Sequence, residues 1–189
     1  MKLKSLKVPT ITSITGRSSS IRASFIKAVI PVVFPANKSE RELLINENLK
    51  KLKHTESGSK CAYCVENLAT EWDHFFSIVN NKLPTGYITD IYNLVPCCGK
   101  CNQSKGSTYW KDWMNSNAPQ SPFKRQINNL DIIIQNLDDF EKWSKENTYI
   151  LAENQLKSLL NYMHDCELFL ESLKKFQSEA DFLKKKFLI

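Results

Sequence analysis

Six cysteines stand at positions 61, 64, 97, 98, 101 and 166, and four of them form two C-x-x-C pairs, Cys61-Ala62-Tyr63-Cys64 and Cys98-Gly99-Lys100-Cys101. Two residues between thiols let a tight turn aim both sulfurs at one point. Four thiolates gathered that way suit a tetrahedral structural Zn²⁺ ion. Gly58 and Gly99 ease the turns. The competing readings are a redox pair or chance spacing, with disulfides the weaker option in a chain showing no secretion leader. Cys97 is an alternative to Cys98 as ligand, although Cys97 to Cys101 is the less usual spacing. Cys166 lies in a helical stretch and reads as a small buried apolar residue. Between and after the pairs come Trp72-Asp73-His74-Phe75, Asn93-Leu94-Val95-Pro96 and Cys101-Asn102-Gln103-Ser104-Lys105-Gly106. An imidazole titrates near neutrality and serves as a general base. The oxygens of Asp73 and Asn102 are hard donors, the kind that Mg²⁺ or Mn²⁺ takes.

These residues need elements to carry them. The run from Thr70 to Phe76 predicts a short strand, Pro84-Thr85-Gly86 a turn, and Leu94-Val95 a second strand. A helix is expected to start near Gly99 and continue through Trp113, with Trp110, Trp113 and Met114 turned to the core. Upstream, Gly16 to Ser20 reads as a loop, and residues 21–34 as a short helix running into an extended stretch bounded by prolines. Ser39 with Glu42 forms a capping-box pattern, opening a helix to about Leu52 on the stripe Leu43, Leu44 and Leu49. Residues 55–60 read as a polar loop. Downstream, Asn115 to Pro122 reads as a linker. Beyond it Ile127, Leu130, Ile134 and Leu137 repeat at helical spacing, as do Leu156, Leu159, Leu160, Met163, Cys166, Leu170 and Leu173. A break near Asn147 would fold these into a helical hairpin, and the stripe could also bury against a second copy.

The 189 residues allow about one domain with an appendage. Apolar residues at 42% and charged residues at 24% exclude a wholly disordered chain. The longest apolar stretch, Ala28 to Ala36, is broken by Pro31 and Pro35, well short of a membrane span. MKLKSLKVPT is basic with no apolar core behind it, so no leader is expected and the location expected is cytoplasmic. The formal net charge is +6, and the first 60 residues hold 12 basic against 4 acidic side chains. That segment attracts polyanions, nucleic acid above all, although a solvated basic surface would have the same composition.

The order of C-x-x-C, Asp-His, a loop closing on Asn, and C-x-x-C-Asn-x-x-Lys-Gly resembles the HNH endonuclease family with its ββα-metal motif. The resemblance spans about a third of the chain. It implies an α+β fold in three parts: a basic N-terminal arm with one or two helices (1–57), a ββα-metal core with a four-cysteine zinc site (58–116), and an α-helical C-terminal region (117–189). It implies hydrolysis of phosphodiester bonds in DNA, of a restriction or anti-phage defence kind. His74 is then the general base, Asp73 and Asn102 ligands of the catalytic Mg²⁺ or Mn²⁺, and Asn93 a clamp on the loop that holds His74. Cys61, Cys64, Cys98 and Cys101 would hold structural Zn²⁺. Lys105, Lys100, Arg17 and Arg22 are candidate nucleic-acid contacts. His54 and His164 lack such a context. The alternative function is a zinc-stabilised nucleic-acid-binding module without catalysis. The C-terminal helices would meet a second copy or a partner protein.

Overall fold

Short strands and uneven helices make up the chain. The computed structural model describes residues 13–53 and 60–187, so His54, Gly58, most of the 55–60 loop and the first twelve residues lie outside the described part. Among the described residues helix at 57% outweighs strand at 12%, and the strands form three separate two-stranded ladders, an α+β mixture. The chain makes two compact units, Ile30–Leu159 and, together, Met1–Val29 with Leu160–Ile189.

In the larger unit, β1 (Val32–Val33) is followed by α2 (Lys38–Lys51), α1 (Ser18–Val29) belonging to the other unit. The cap of α2 is Asn37, whose side chain accepts from the Ser39 amide at 2.8 Å, so the expected Ser39 cap is displaced by two residues. An asparagine in the extended conformation satisfies the orphan amide of Ser39, which lies inside the first turn. Leu43 is exposed, whereas Asn48 and Leu52 are buried. Asn48 Nδ2 donates to the carbonyls of Ile91 (2.7 Å) and Leu94 (2.9 Å). It thereby fastens α2 to a one-turn 3-10 helix (Ile91–Asn93) and to the strand after it.

The central ladder pairs β2 (Glu71–His74) antiparallel with β6 (Leu94–Cys97), setting Glu71 opposite Cys97, Asp73 opposite Val95 and His74 opposite Leu94. Between them lie β3 (Val79–Asn80) hydrogen-bonded to β4 (Leu83–Pro84), and β5 (Thr89–Asp90), which runs parallel to β1. The chain then enters α3 (Gly99–Lys105), which packs on β2. The expected helix through Trp113 is two helices. Gly106 takes φ +52°, ψ −125°, outside helical space, and stops α3 before α4 (Trp110–Met114) begins. Glycine reaches that conformation without a Cβ clash.

Aromatic packing builds the core. Trp110, Trp113 and Met114 are buried, Phe75 stacks on Trp110 at 5.4 Å, and Phe140 meets Phe75 edge-on at 5.1 Å. Tyr63 meets Trp113 edge-on at 5.3 Å. Residues 115–122 are not a free linker. The Phe123 amide donates to the Met114 carbonyl, and the buried Ser121 hydroxyl to the Ser116 carbonyl at 2.6 Å, folding the segment back. In α5 (Leu130–Asn147) the buried residues Ile133, Leu137, Phe140 and Ser144 share one face. That face packs on α2 and the Ile91–Asn93 turn.

The smaller unit sets α1 (Ser18–Val29) against the distal part of α6 (Glu153–Phe187), with Phe25 edge-on to Tyr162 and Phe169. Arg22 is half-buried there, its guanidinium bidentate on Glu167 at 2.5 and 2.7 Å. The break at Asn147 exists; within the larger unit α5 packs on α2, and within the smaller unit distal α6 packs with α1. Cys166, in α6, is buried, and His164 is exposed. Among the described residues no helix is long and apolar enough to cross a membrane.

Replacing Asn48 with Ala removes the side-chain donor to the Leu94 carbonyl and leaves the Ile91 carbonyl only the Leu94 amide, so stability is expected to fall by about 1–3 kcal/mol. A urea titration followed by tryptophan fluorescence measures it, and an unchanged midpoint contradicts the fastening role.

Candidate functional site

The two knuckles lie on opposite sides of the β2–β6 ladder in sequence and meet in space. The Sγ atoms of Cys61, Cys64, Cys98 and Cys101 all lie within 4.8 Å of one another, and all four residues are buried. A tetrahedron with Zn–S bonds of about 2.3 Å has sulfurs about 3.8 Å apart, so the cluster needs only a small contraction to close on an ion. The four cysteines could therefore hold a metal such as zinc. Local structure explains the convergence. The Cys61 amide bonds to the Asn67 carbonyl at 2.9 Å, the Val65 amide to the Cys61 carbonyl, and the Ala62 amide to the Pro96 carbonyl at 2.8 Å, laying the first knuckle along β6. Cys98, extended, caps α3 and Cys101 sits one turn inside it.

The crowded thiols shift one another's ionisation. The Cys64 thiol is held well below its ordinary range, because Cys101 and Cys61 donate to it. Cys101 is pushed well above, through its bonds with Cys61 and Cys64 and through burial. One thiolate is stabilised by its neighbours, and further ionisation is opposed until a positive ion takes the charge. Outer donors are in place: Asn67 Nδ2 lies 3.6 Å from the sulfurs of Cys64 and Cys98, and Arg125 Nη1 lies 3.6 Å from Cys101 Sγ. Such donors lower the cost of gathering thiolates. Cys97 stands outside the cluster, in β6, with its thiol pushed up by burial and by the charge of Asp73.

The face of β2 toward α3 carries Glu71 and Asp73, as strand alternation requires. Asp73 is buried. Its Oδ2 accepts from the Tyr63 hydroxyl at 2.6 Å and pairs with Lys105 Nζ at 2.9 Å. Among the described residues none donates to Oδ1 of Asp73, and Asn48 Oδ1 is the one sealed side-chain polar atom left without a partner, so Asp73 Oδ1 keeps a path to solvent. Asn102 Nδ2 donates to Glu71 Oε2 at 2.5 Å, again leaving the amide oxygen without a described partner. Asp73 and Asn102 thus each keep one oxygen available on the same strand–helix face. Among the described residues the four cysteines are the one group of three or more histidine, cysteine or acidic side chains placed to hold a metal ion.

Lys105 corrects an expectation. Its side chain is 0% exposed, and its ammonium bonds to Asp73 and, at 3.0 Å, to the His74 carbonyl, so it does not reach a phosphate at the surface. A buried lysine next to a carboxylate is the pairing that keeps both charges tolerable. Arg22 is likewise committed, to Glu167, whereas Lys100 and Arg17 are exposed.

His74 is half-buried on the other face of β2, with Nε2 2.8 Å from Thr89 Oγ1. Its peptide is gripped from several sides. Lys105 holds its carbonyl, and the Phe75 amide donates to the Asn93 carbonyl at 2.8 Å. The fully buried Asn93 accepts from the Phe76 amide through Oδ1 (2.8 Å) and donates through Nδ2 to the Phe76 carbonyl (3.0 Å) and the Ile88 carbonyl (2.9 Å). His74, Asp73 and Asn102 therefore each engage a different partner: Thr89, the Lys105–Tyr63 pair and Glu71. Glu71, Tyr63, Thr89 and Arg125 went unnoticed in the sequence. Period-two alternation from Asp73 points to Glu71, but nothing local points to Arg125.

No family model, curated protein or solved structure matches the chain.

In purified protein Cys98→Ser is expected to abolish stoichiometric metal content, measured by elemental analysis, while Cys97→Ser keeps it. Equal loss in both variants contradicts the ligand assignment.

Proposed function

We propose that the chain is a metal-dependent nuclease of the HNH ββα-metal kind, hydrolysing phosphodiester bonds in DNA in a prokaryotic restriction or anti-phage defence setting. The observation that carries this reading is the oxygen without a described partner on each of Asp73 and Asn102, both on the face between β2 and α3, with His74 next to Asp73 along β2 but on its other face. Zinc at the four cysteines would tie the two knuckles and so hold strand and helix in register.

In this reading His74 accepts the proton of the attacking water. Its imidazole must be held still, and the Asn93 and Lys105 contacts on the surrounding peptide do that. Asp73 and Asn102 would hold Mg²⁺ or Mn²⁺. A bound ion supplies charge neutralisation at the phosphate and the leaving oxygen. Tyr63 and Lys105 fix one oxygen of Asp73 and thereby aim the other. The exposed Lys100, at the start of α3, and the basic first third of the chain supply attraction for the phosphate backbone.

A second reading is favoured by one contact. Lys105 neutralises Asp73 without any metal, which suits a zinc-stabilised nucleic-acid-binding module with no catalysis. Plasmid cleavage separates the two. With Mg²⁺ or Mn²⁺ the protein is expected to cut, and His74→Ala to cut about 10²–10⁴-fold more slowly with an unchanged melting temperature. Salt-dependent DNA binding with no cutting in any metal selects the second reading, and full activity in His74→Ala removes the imidazole from the mechanism.

A further inference from the structure

Directly after His74, and again directly after α3, the chain turns to line one recess of about 360 Å³. Phe75, Phe76 and Ser77 form one side, Ser107, Thr108 and Tyr109 another, and α5 closes it with Glu141 and Lys145. The volume is near the lower end of small-molecule pockets, about 300–1,000 Å³, enough for a ring system and too little for a duplex.

Three features define what fits. The first is charge. Lys145 is the one cation in the lining, and its ammonium pairs with the buried Glu141 at 2.6 Å, so the recess is electrically balanced and offers a phosphate little. Glu141 is itself fixed, accepting from the Tyr109 hydroxyl at 2.7 Å and the Trp110 indole at 3.0 Å. The second is shape and surface. The Phe76–Tyr87 pair, stacked at 4.6 Å with the Lys145 ammonium over the Phe76 ring, and Tyr109, 42% exposed, line the recess with aromatic carbon. The third is the rim, where the side chains of Asn80, Ser107 and Thr108 make no hydrogen bond among the described residues. A neutral, planar ligand with a hydrogen-bonding edge answers all three, and a nucleobase is that ligand. A base paired in a duplex is stacked inward, so one entering a recess is unpaired or flipped.

We propose that this recess takes a single unpaired nucleobase of the strand whose phosphate lies at His74. The inference rests on the nuclease reading for the identity of its ligand, but it is tested without cleavage. Zinc-loaded protein, with no Mg²⁺ or Mn²⁺ added, is mixed with single-stranded DNA or RNA oligonucleotides carrying 2-aminopurine, and with the same sequence as duplex. Wild type is expected to quench the single strands, in either sugar chemistry or in one of them. Ser107→Trp, which fills the recess from an exposed position, is expected to weaken single-strand binding about tenfold, the scale of one base–aromatic contact, and to leave duplex binding unchanged. Asn80→Ala, also exposed, is expected to weaken it less, and it covers the case where the bulky variant misfolds. Absence of quenching in wild type, or binding unaltered by both substitutions, overturns the proposal. Cleavage without quenching removes the recess and leaves the nuclease reading standing, while quenching without cleavage does the reverse.

Discussion

Four sulfurs within 4.8 Å, drawn from chain segments on either side of the central ladder, are the constraint on which the site region depends. The Ala62 amide to Pro96 carbonyl bond and the Cys98 cap lock the knuckles to β6 and α3, so closing the cluster fixes where α3 begins relative to β2. Crowded thiols are unfavourable partners by themselves. One ionises at its neighbours' expense, and Asn67 and Arg125 already point donors at the sulfurs. A cation converts that crowding into a cross-link, the means by which a unit of short strands gains rigidity that its apolar core does not supply.

One ammonium connects the rest. Lys105 takes Oδ2 of Asp73 and the carbonyl of His74 together, so a single buried charge sets the orientation of a carboxylate on one strand face and of the peptide that carries an imidazole on the other. Burial makes such a charge costly unless its hydrogen bonds are complete, and the Tyr63 hydroxyl adds one to the same carboxylate oxygen. The arrangement leaves the second carboxylate oxygen accessible without leaving it mobile. Asn93 acts similarly on the segment beyond His74, through backbone bonds that hold regardless of what the side chains around them do.

Local signals were legible in the sequence and distant partners were not. Paired C-x-x-C spacing carries its own geometry, so the gathering of Cys61, Cys64, Cys98 and Cys101, and the place of Cys98 over Cys97, follow from turns of a few residues. The two short strands and the burial of Trp110, Trp113 and Met114 were likewise readable from pattern. Lys105 looked like a surface cation because its partner, Asp73, is 32 positions away and only the packing of α3 on β2 brings them together. Arg22 was misread for the same reason, with Glu167 far along the chain. The single helix expected through Trp113 failed at Gly106, whose positive φ the sequence permits but does not demand. Residues 115–122 read as a linker because their small polar side chains give no periodic signal, yet serine hydroxyls fold them tightly.

The most direct measurement is where a divalent ion goes. Mn²⁺ titrated into zinc-loaded protein broadens the NMR signals of nearby nuclei, and the chain has three histidines to compare. The nuclease reading predicts selective broadening of the His74 ring over those of His54 and His164, and its loss in Asn102→Ala. Uniform broadening of all three, or selective broadening that survives Asn102→Ala, contradicts a catalytic ion held between Asp73 and Asn102.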